Sequence, residues 1–156
     1  MPLWASLSRI HRRVYRSSEA KPNMLKESEI SKINTTALAY LGDAVYEVVI
    51  REMILSGFPQ DAGKAHRHAV KYVSAEGQAK AARQMLSDGW LREGEASLLK
   101  RARNHRSMSR PQHADPRDYK YATGFEALLG YLHLKGDDER VREIAEKAVE
   151  IIDAAG

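Results

Sequence analysis

The sequence predicts an all-α protein, a helical bundle of five to seven helices. Apolar residues recur at helical spacing in several long segments, no run alternates over strand length, and no two-residue hairpin signal appears. The 156 residues suit one domain and bury enough surface to need no disulfide or zinc staple. Cysteine is absent, which excludes disulfide scaffolds, zinc ribbons, iron–sulfur clusters and thiol nucleophiles, and suits a reducing, cytoplasmic setting. With 29% charged and 43% hydrophobic residues, the chain is neither a disordered polyelectrolyte nor a membrane protein. No window approaches the ~18 unbroken apolar residues of a spanning helix.

The elements follow in order. Residues 1–27 show no sustained period and mix Arg, Ser and Trp4 with Pro2 and Pro22. They read as a basic arm outside the fold, with a targeting segment as the rival reading. The helical domain is expected over 28–156. From Ser31 to about Leu55, Leu38, Leu41, Val45, Val48 and Val49 stand at helical spacing, and Gly57 and Pro59 end the run. Residues 62–72 form a short helix. Ser74, with Glu76 in the following turn, starts another that runs to Leu86, with Gly89 past its end. Glu93 to Asn104 is the next. Residues 105–117 hold two prolines and no apolar period, so they read as a loop. Asp118 to Leu134 is helical and closed by Gly136. Asp137 and Asp138 open a last helix in which Val141, Ile144, Ala145, Ala148, Val149 and Ile152 form one stripe.

Charge is informative by place rather than in total. There are 25 basic and 21 acidic residues, but without Arg9, Arg12, Arg13 and Arg16 of the arm the two balance. Residues 100–120 hold seven basic residues against Asp115 and Asp118, whereas 137–156 hold seven acids against three bases. A basic helix end beside a basic loop fits a phosphate backbone, and five of the seven are Arg, which forks onto phosphate. The bland alternative is a solvated surface that complements a helix C-terminus.

Two carboxylates stand out. Asp43 lies in the most apolar helix, where an unpaired charge must be paired, metal-bound or turned to water. Glu126 lies in an equally apolar stretch. Gly42 adjoins Asp43, while Gly124 and Gly130 bracket Glu126, and Gly inside a helix costs about 1 kcal/mol relative to Ala. Helices crossing at these glycines would bring Asp43 and Glu126 to one point. Facing carboxylates raise each other's pKa unless a cation neutralises them, and hard oxygen donors favour Mg²⁺ or Mn²⁺. The ordinary reading of Asp43 and Glu47 is the polar stripe of an amphipathic helix. His66 and His68 sit two apart on a helix and point to different faces, so they read as solvated rather than as ligands. Tyr119, Tyr121, Phe125 and Tyr131 read as core at helical spacing, with a base-stacking platform as the alternative.

At these residues a family resemblance emerges. Leu41-Gly42-Asp43-Ala44-Val45 resembles the core of the ribonuclease III signature, and Phe125 to Leu132 (FEALLGYL) resembles that family's second acidic motif. The length, with Leu38 to Glu47, Val73 to Ala75, Leu99 to Asn104 and Tyr119 to Tyr131, resembles the short Mini-ribonuclease III branch over roughly residues 30–150. The resemblance implies a dimeric, Mg²⁺-dependent endoribonuclease of double-stranded RNA that leaves 5′-phosphate and 3′-hydroxyl ends and trims precursor large-subunit (23S) ribosomal RNA, with a ribosomal protein as stimulator. It implies that Asp43 and Glu126 are the catalytic, metal-binding acids. Lys71, Arg83, Lys100, Arg101, Arg103, Asn104, Arg106 and Arg110 would then contact the RNA backbone.

The departures are equally plain. The further family acids before the signature Asp fall here on Thr36 and Ala39, the Asp before the second Glu falls on Thr123, and another Glu falls near Ala62, beside Asp61. No double-stranded-RNA-binding domain is expected after the last helix. The missing acids keep a second reading open: a catalytically inactive module of the same fold that binds structured RNA. A helical protein-interaction domain would leave the basic loop and both acids without a role.

Overall fold

The computed structural model describes residues 25–57, 61–105 and 115–156. Its helices are α1 (Glu27–Ile30), α2 (Thr35–Gly57), α3 (Ala62–Val73), α4 (Ala75–Ser87), α5 (Glu93–Asn104), α6 (Pro116–Leu134) and α7 (Asp138–Ala155), with no strand among the described residues. The expected basic arm lies outside the described residues up to residue 24, and α1 begins at Glu27.

Helix ends are set by short polar side chains that take up the unpaired N–H groups of a first turn. The run expected to start at Ser31 is split, because Asn34 Oδ1 accepts from the Ala37 amide at 2.8 Å and starts α2 there. Asp61 accepts from the Lys64 amide at 2.9 Å and opens α3. Ser74 closes α3 and, accepting from the Gly77 amide at 3.1 Å, opens α4. This corner is tight: a Cβ on Gly77 would strike the Lys71 carbonyl. Asp115 accepts from the Arg117 amide at 2.8 Å and Pro116 occupies the first turn, so α6 starts two residues before Asp118. Gly89 and Gly136, with φ of +64° and +85°, make the turns after α4 and α6.

The buried stripe of α2 differs in phase from the one expected. Leu38, Ala39, Gly42, Tyr46, Val49, Ile50, Met53 and Ile54 face inward, Leu41 and Val45 are half-buried, and Val48 is exposed. A helix apolar nearly all round carries no period strong enough to fix its facing. In α6, Phe125 is fully buried edge-on to Tyr46 with ring centroids 5.0 Å apart, while Tyr119, Tyr121 and Tyr131 are only half-buried. The core expectation for the four aromatics holds fully for Phe125, and Tyr121 and Tyr131 pack against the core from its edge.

α6 is the central helix, packed against α2, α4 and α5. Against α2 the two main chains touch. A Cβ on Gly42 would fall on the carbonyl oxygen of Glu126, and one on Gly130 would fall on the carbonyl oxygen of Leu38. Gly124 has a different neighbour: its Cβ would lie 2.6 Å from the Leu99 carbonyl oxygen of α5. The expected crossing of the two acidic helices thus uses Gly42 and Gly130, and Gly124 serves the contact with α5. On the other side, Arg140 of α7 forms a two-pronged ion pair with buried Glu95 at 2.8 and 2.9 Å, and its guanidinium lies over the Trp90 ring.

Gly42→Ala must push α2 off α6 and is expected to lower unfolding free energy by about 2–3 kcal/mol. Gly94→Ala, in α5 with open space around its Cα, is expected to raise it by about 0.5 kcal/mol. Urea unfolding of the two variants beside the wild type checks both signs.

Candidate functional site

Five helices contribute to the wall of a cavity of about 600 Å³, α3 only through Val73 at its end. Thr36, Ala39 and Asp43 reach it from successive turns of α2, Gln78 from α4, Arg103 from the end of α5, and Tyr119, Lys120, Thr123 and Glu126 from α6. The geometry follows from the Gly42–Gly130 crossing. With no side chain between the main chains, Asp43 stands beside the helix that carries Glu126, and both open into the same space. Asp43 is exposed to the cavity, which is how a charge is tolerated on so apolar a helix. Glu126 lies deeper and is half-buried.

Asp43 acts on Glu126. Burial pushes the Glu126 carboxyl up from its ordinary 4.5, the neighbouring charge of Asp43 pushes it further, and it reaches about 8 although the nearby Gln78 amide pulls it down. Asp43 is raised by burial and then by Glu47, which is itself held at 2.7 Å by Arg51. Neither Asp43 nor Glu126 has an ion-pair partner among the described residues. Two adjacent carboxylates with no protein cation between them, ringed by hydroxyl and amide oxygens, fit a hard divalent ion. Asp43 and Glu126 would hold it. No cluster of three or more Asp, Glu, His or Cys suited to a metal occurs among the described residues. The positions of the absent family acids, Thr36, Ala39 and Thr123, all line the cavity, so the site is built with fewer charges in the same places. Asp61 is spent on capping α3 and does not line it.

The expected RNA-contacting residues divide. Arg103 lines the cavity, and its guanidinium and that of Arg83 lie over the Tyr121 ring at 5.1 and 4.6 Å from the centroid. Arg83 also pairs with Asp118 at 2.8 Å. Asn104 Oδ1 accepts from Arg103 Nε at 3.1 Å, and Lys100 and Arg101 are exposed on α5. Lys71 does not line the cavity; it pairs with Asp153 at 3.1 Å. Arg106 and Arg110 lie outside the described residues. His66 is exposed and His68 lies against Tyr72. The sequence reading missed Gln78, Lys120 and His105 on the cavity wall. The signal for Gln78 was a lone polar residue among the alanines of a buried face, three positions beyond the Val73–Ala75 stretch.

Comparison with known proteins gives the family. The profile of the ribonuclease III domain matches residues 36–137, which spans both acidic motifs. The chain belongs to the ribonuclease III family. Within it, the relatives are the Mini-ribonucleases III. The Thermoanaerobacter sp. (strain X514) protein of that name is 38% identical, with 83% of this chain and 90% of that one covered. The one from Enterococcus faecalis is 42% identical over 74% of this chain and 88% of its own length. A crystal structure of a Fusobacterium nucleatum protein superposes with a TM-score of 0.66 at 27% identity, covering 81% of this chain and 97% of that one. The chain is accordingly an endoribonuclease of ribonuclease III type. The family depends on a divalent metal and acts on double-stranded RNA as a dimer. No helix among the described residues is long and apolar enough to cross a membrane.

The raised Glu126 pKa has a consequence for stability. Folding favours the protonated acid, so its contribution is complete below about 4.5 and is lost as pH climbs through about 8. In EDTA, unfolding free energy is expected to decline across that window more steeply for the wild type than for Glu126→Gln. Parallel pH profiles for the two proteins, read by urea unfolding, would refute the coupling.

Proposed function

We propose that the chain hydrolyses phosphodiester bonds of double-stranded RNA with Asp43 and Glu126 holding a divalent cation, Mg²⁺ or its substitute Mn²⁺. What supports the reading is the juxtaposition of these two acids in an open cavity, with no protein cation to neutralise them and arginines at its edge. A bound cation supplies a water of lowered pKa and neutralises charge on the phosphate in transfer. The chain's own residues do the rest. Asp43, on the exposed side, meets solvent and substrate first; Glu126, fixed in depth by the helix crossing, anchors the site. The products would carry 5′-phosphate and 3′-hydroxyl ends.

Duplex RNA is read through phosphates and 2′-hydroxyls, largely by shape. Arg103 and Lys120 on the cavity wall, with Arg83, Lys100, Arg101 and Asn104 nearby in sequence or space, are the proposed contacts, joined by Arg106 and Arg110, which lie outside the described residues. Lys71, paired with Asp153 and away from the cavity, is not among the proposed contacts. A second copy of the chain would cover the exposed Tyr40, Val48 and Leu55 of α2, beside a groove of about 300 Å³ lined by Val45, Val48 and Val141, and would place two sites on opposite strands. Maturation of precursor large-subunit (23S) ribosomal RNA in the cytoplasm, helped by a ribosomal protein, is the proposed role. One observation favours a rival: Thr36, Ala39 and Thr123 leave the cavity short of acids, as in a module that only binds structured RNA.

Cleavage of a long RNA duplex with Mg²⁺ separates the two. The wild type is expected to cut, and Asp43→Asn and Glu126→Gln to lose at least ~100-fold in rate, since ligands matter no less than their outer-shell partners. Binding without cutting by the wild type favours the module. A further measurement concerns the rim: Arg103→Gln is expected to reduce the slope of log K against log salt by about one, with Lys71→Gln leaving it unchanged.

A further inference from the structure

Two cations from different helices meet on one ring. Arg83 comes from α4 and Arg103 from the last turn of α5, and their guanidinium carbons lie 4.6 and 5.1 Å from the centroid of Tyr121 on α6. Like charges do not gather without a holder. Here the π-electrons of the ring attract both, and α6 packs against both α4 and α5. Tyr121 is half-buried, so its ring is itself seated against the core.

The two cations are held unequally. Arg83 also pairs at 2.8 Å with Asp118, one turn before Tyr121 on α6, so its charge is already met. Arg103 has no acidic partner among the described residues. Its Nη1 donates to the Tyr121 hydroxyl at 3.4 Å and its Nε to Asn104 Oδ1 at 3.1 Å, and both acceptors are neutral. Arg103 shares the cavity with Asp43 and Glu126, yet its polar contacts go to Tyr121 and Asn104 instead. It is thus a guanidinium with a fixed place and an unspent charge.

We propose that Tyr121 is a positioning residue for RNA: it orders Arg103 in advance, so that the guanidinium presents its remaining N–H groups to a backbone phosphate at the edge of the cavity. This rests on the reading of Arg103 as an RNA contact. A guanidinium forks onto phosphate only when its plane is correctly turned. A long side chain fixed before the encounter also gives up little freedom on binding. Arg83, tied to Asp118, depends less on the ring.

The test is binding of an RNA duplex in EDTA, where nothing is cut, in a double-mutant cycle of Tyr121 and Arg103. At about 0.15 M salt, Arg103→Gln is expected to weaken binding about 5-fold, the loss of one phosphate contact. Tyr121→Met removes the ring but fills its place at the core edge. It is expected to weaken binding about 3-fold, the cost of ordering a freed Arg103. On the Arg103→Gln background, Tyr121→Met is expected to cost nothing more. An equal cost on both backgrounds marks a packing role and overturns the proposal. If Tyr121→Met costs nothing while Arg103→Gln weakens binding, only the role of Tyr121 falls. If Arg103→Gln itself binds as the wild type does, the RNA contact falls and takes this inference with it. A second measurement needs no variant and stands even if Tyr121→Met fails to fold. In NMR relaxation of the free wild type, the Arg103 Nε–H is expected to be as ordered as the backbone of α5. Motion like that of the exposed Arg101 overturns the proposal.

Discussion

Two helices bring their main chains into contact only where neither carries a side chain, and Gly42 and Gly130 meet that condition on α2 and α6. The rest of the site is a consequence. Residue 43 follows residue 42, so its carboxylate stands at the edge of the contact, and Glu126 is one turn from Gly130 on the facing helix. The same closeness that brings the acids together denies them separation by solvent, and Glu126 carries the strain as a proton held to about pH 8. The crossing therefore sets both the geometry of the site and its electrostatic appetite for a cation.

Elsewhere the fold shows how it treats charge when no ion is wanted. Glu95 and Arg140 are both buried, joined by two short hydrogen bonds and covered by Trp90. The pair keeps Glu95 below its ordinary pKa, the opposite sign to Glu126. One chain thus contains a self-contained buried charge and an uncompensated one. Removing a partner from such a pair leaves a buried charge exposed to nothing, which is why Arg140 is a structural residue and Asp43 is not. Two cations near the site are deployed differently again: Arg83 and Arg103 both lie against the Tyr121 ring and pair with neither acid.

Much of this was legible in the chain. Glu93 to Asn104 reads as a helix from its acidic first turn and basic last turn, and the structure agrees to the residue. Ser74 and Asp137 announce their caps. The two acids were found because charge on an apolar helix is an anomaly that chemistry must resolve. What could not be read has a common cause: it depends on which helix faces which. The phase of α2 was ambiguous because its apolar residues nearly encircle it. Gly124 was assigned to the wrong neighbour because glycine advertises a close approach without naming the partner. Gln78 gave only a faint signal, since a single amide on an alanine face acquires meaning when Glu126 is placed against it.

The order of elements along the chain has one more effect. Asp43 leaves the ribosome early, but α6, against which α2, α4 and α5 all pack, comes next to last. About eighty residues separate the two acids, so at ~5–20 residues per second the second follows the first by roughly 4–16 s. During that interval the nascent polypeptide has half of the proposed metal site and nothing to seat it. On that proposal an RNA-cutting protein emerges beside the cell's densest store of structured RNA without a closed site, which forms only once the sixth of the seven described helices has been made.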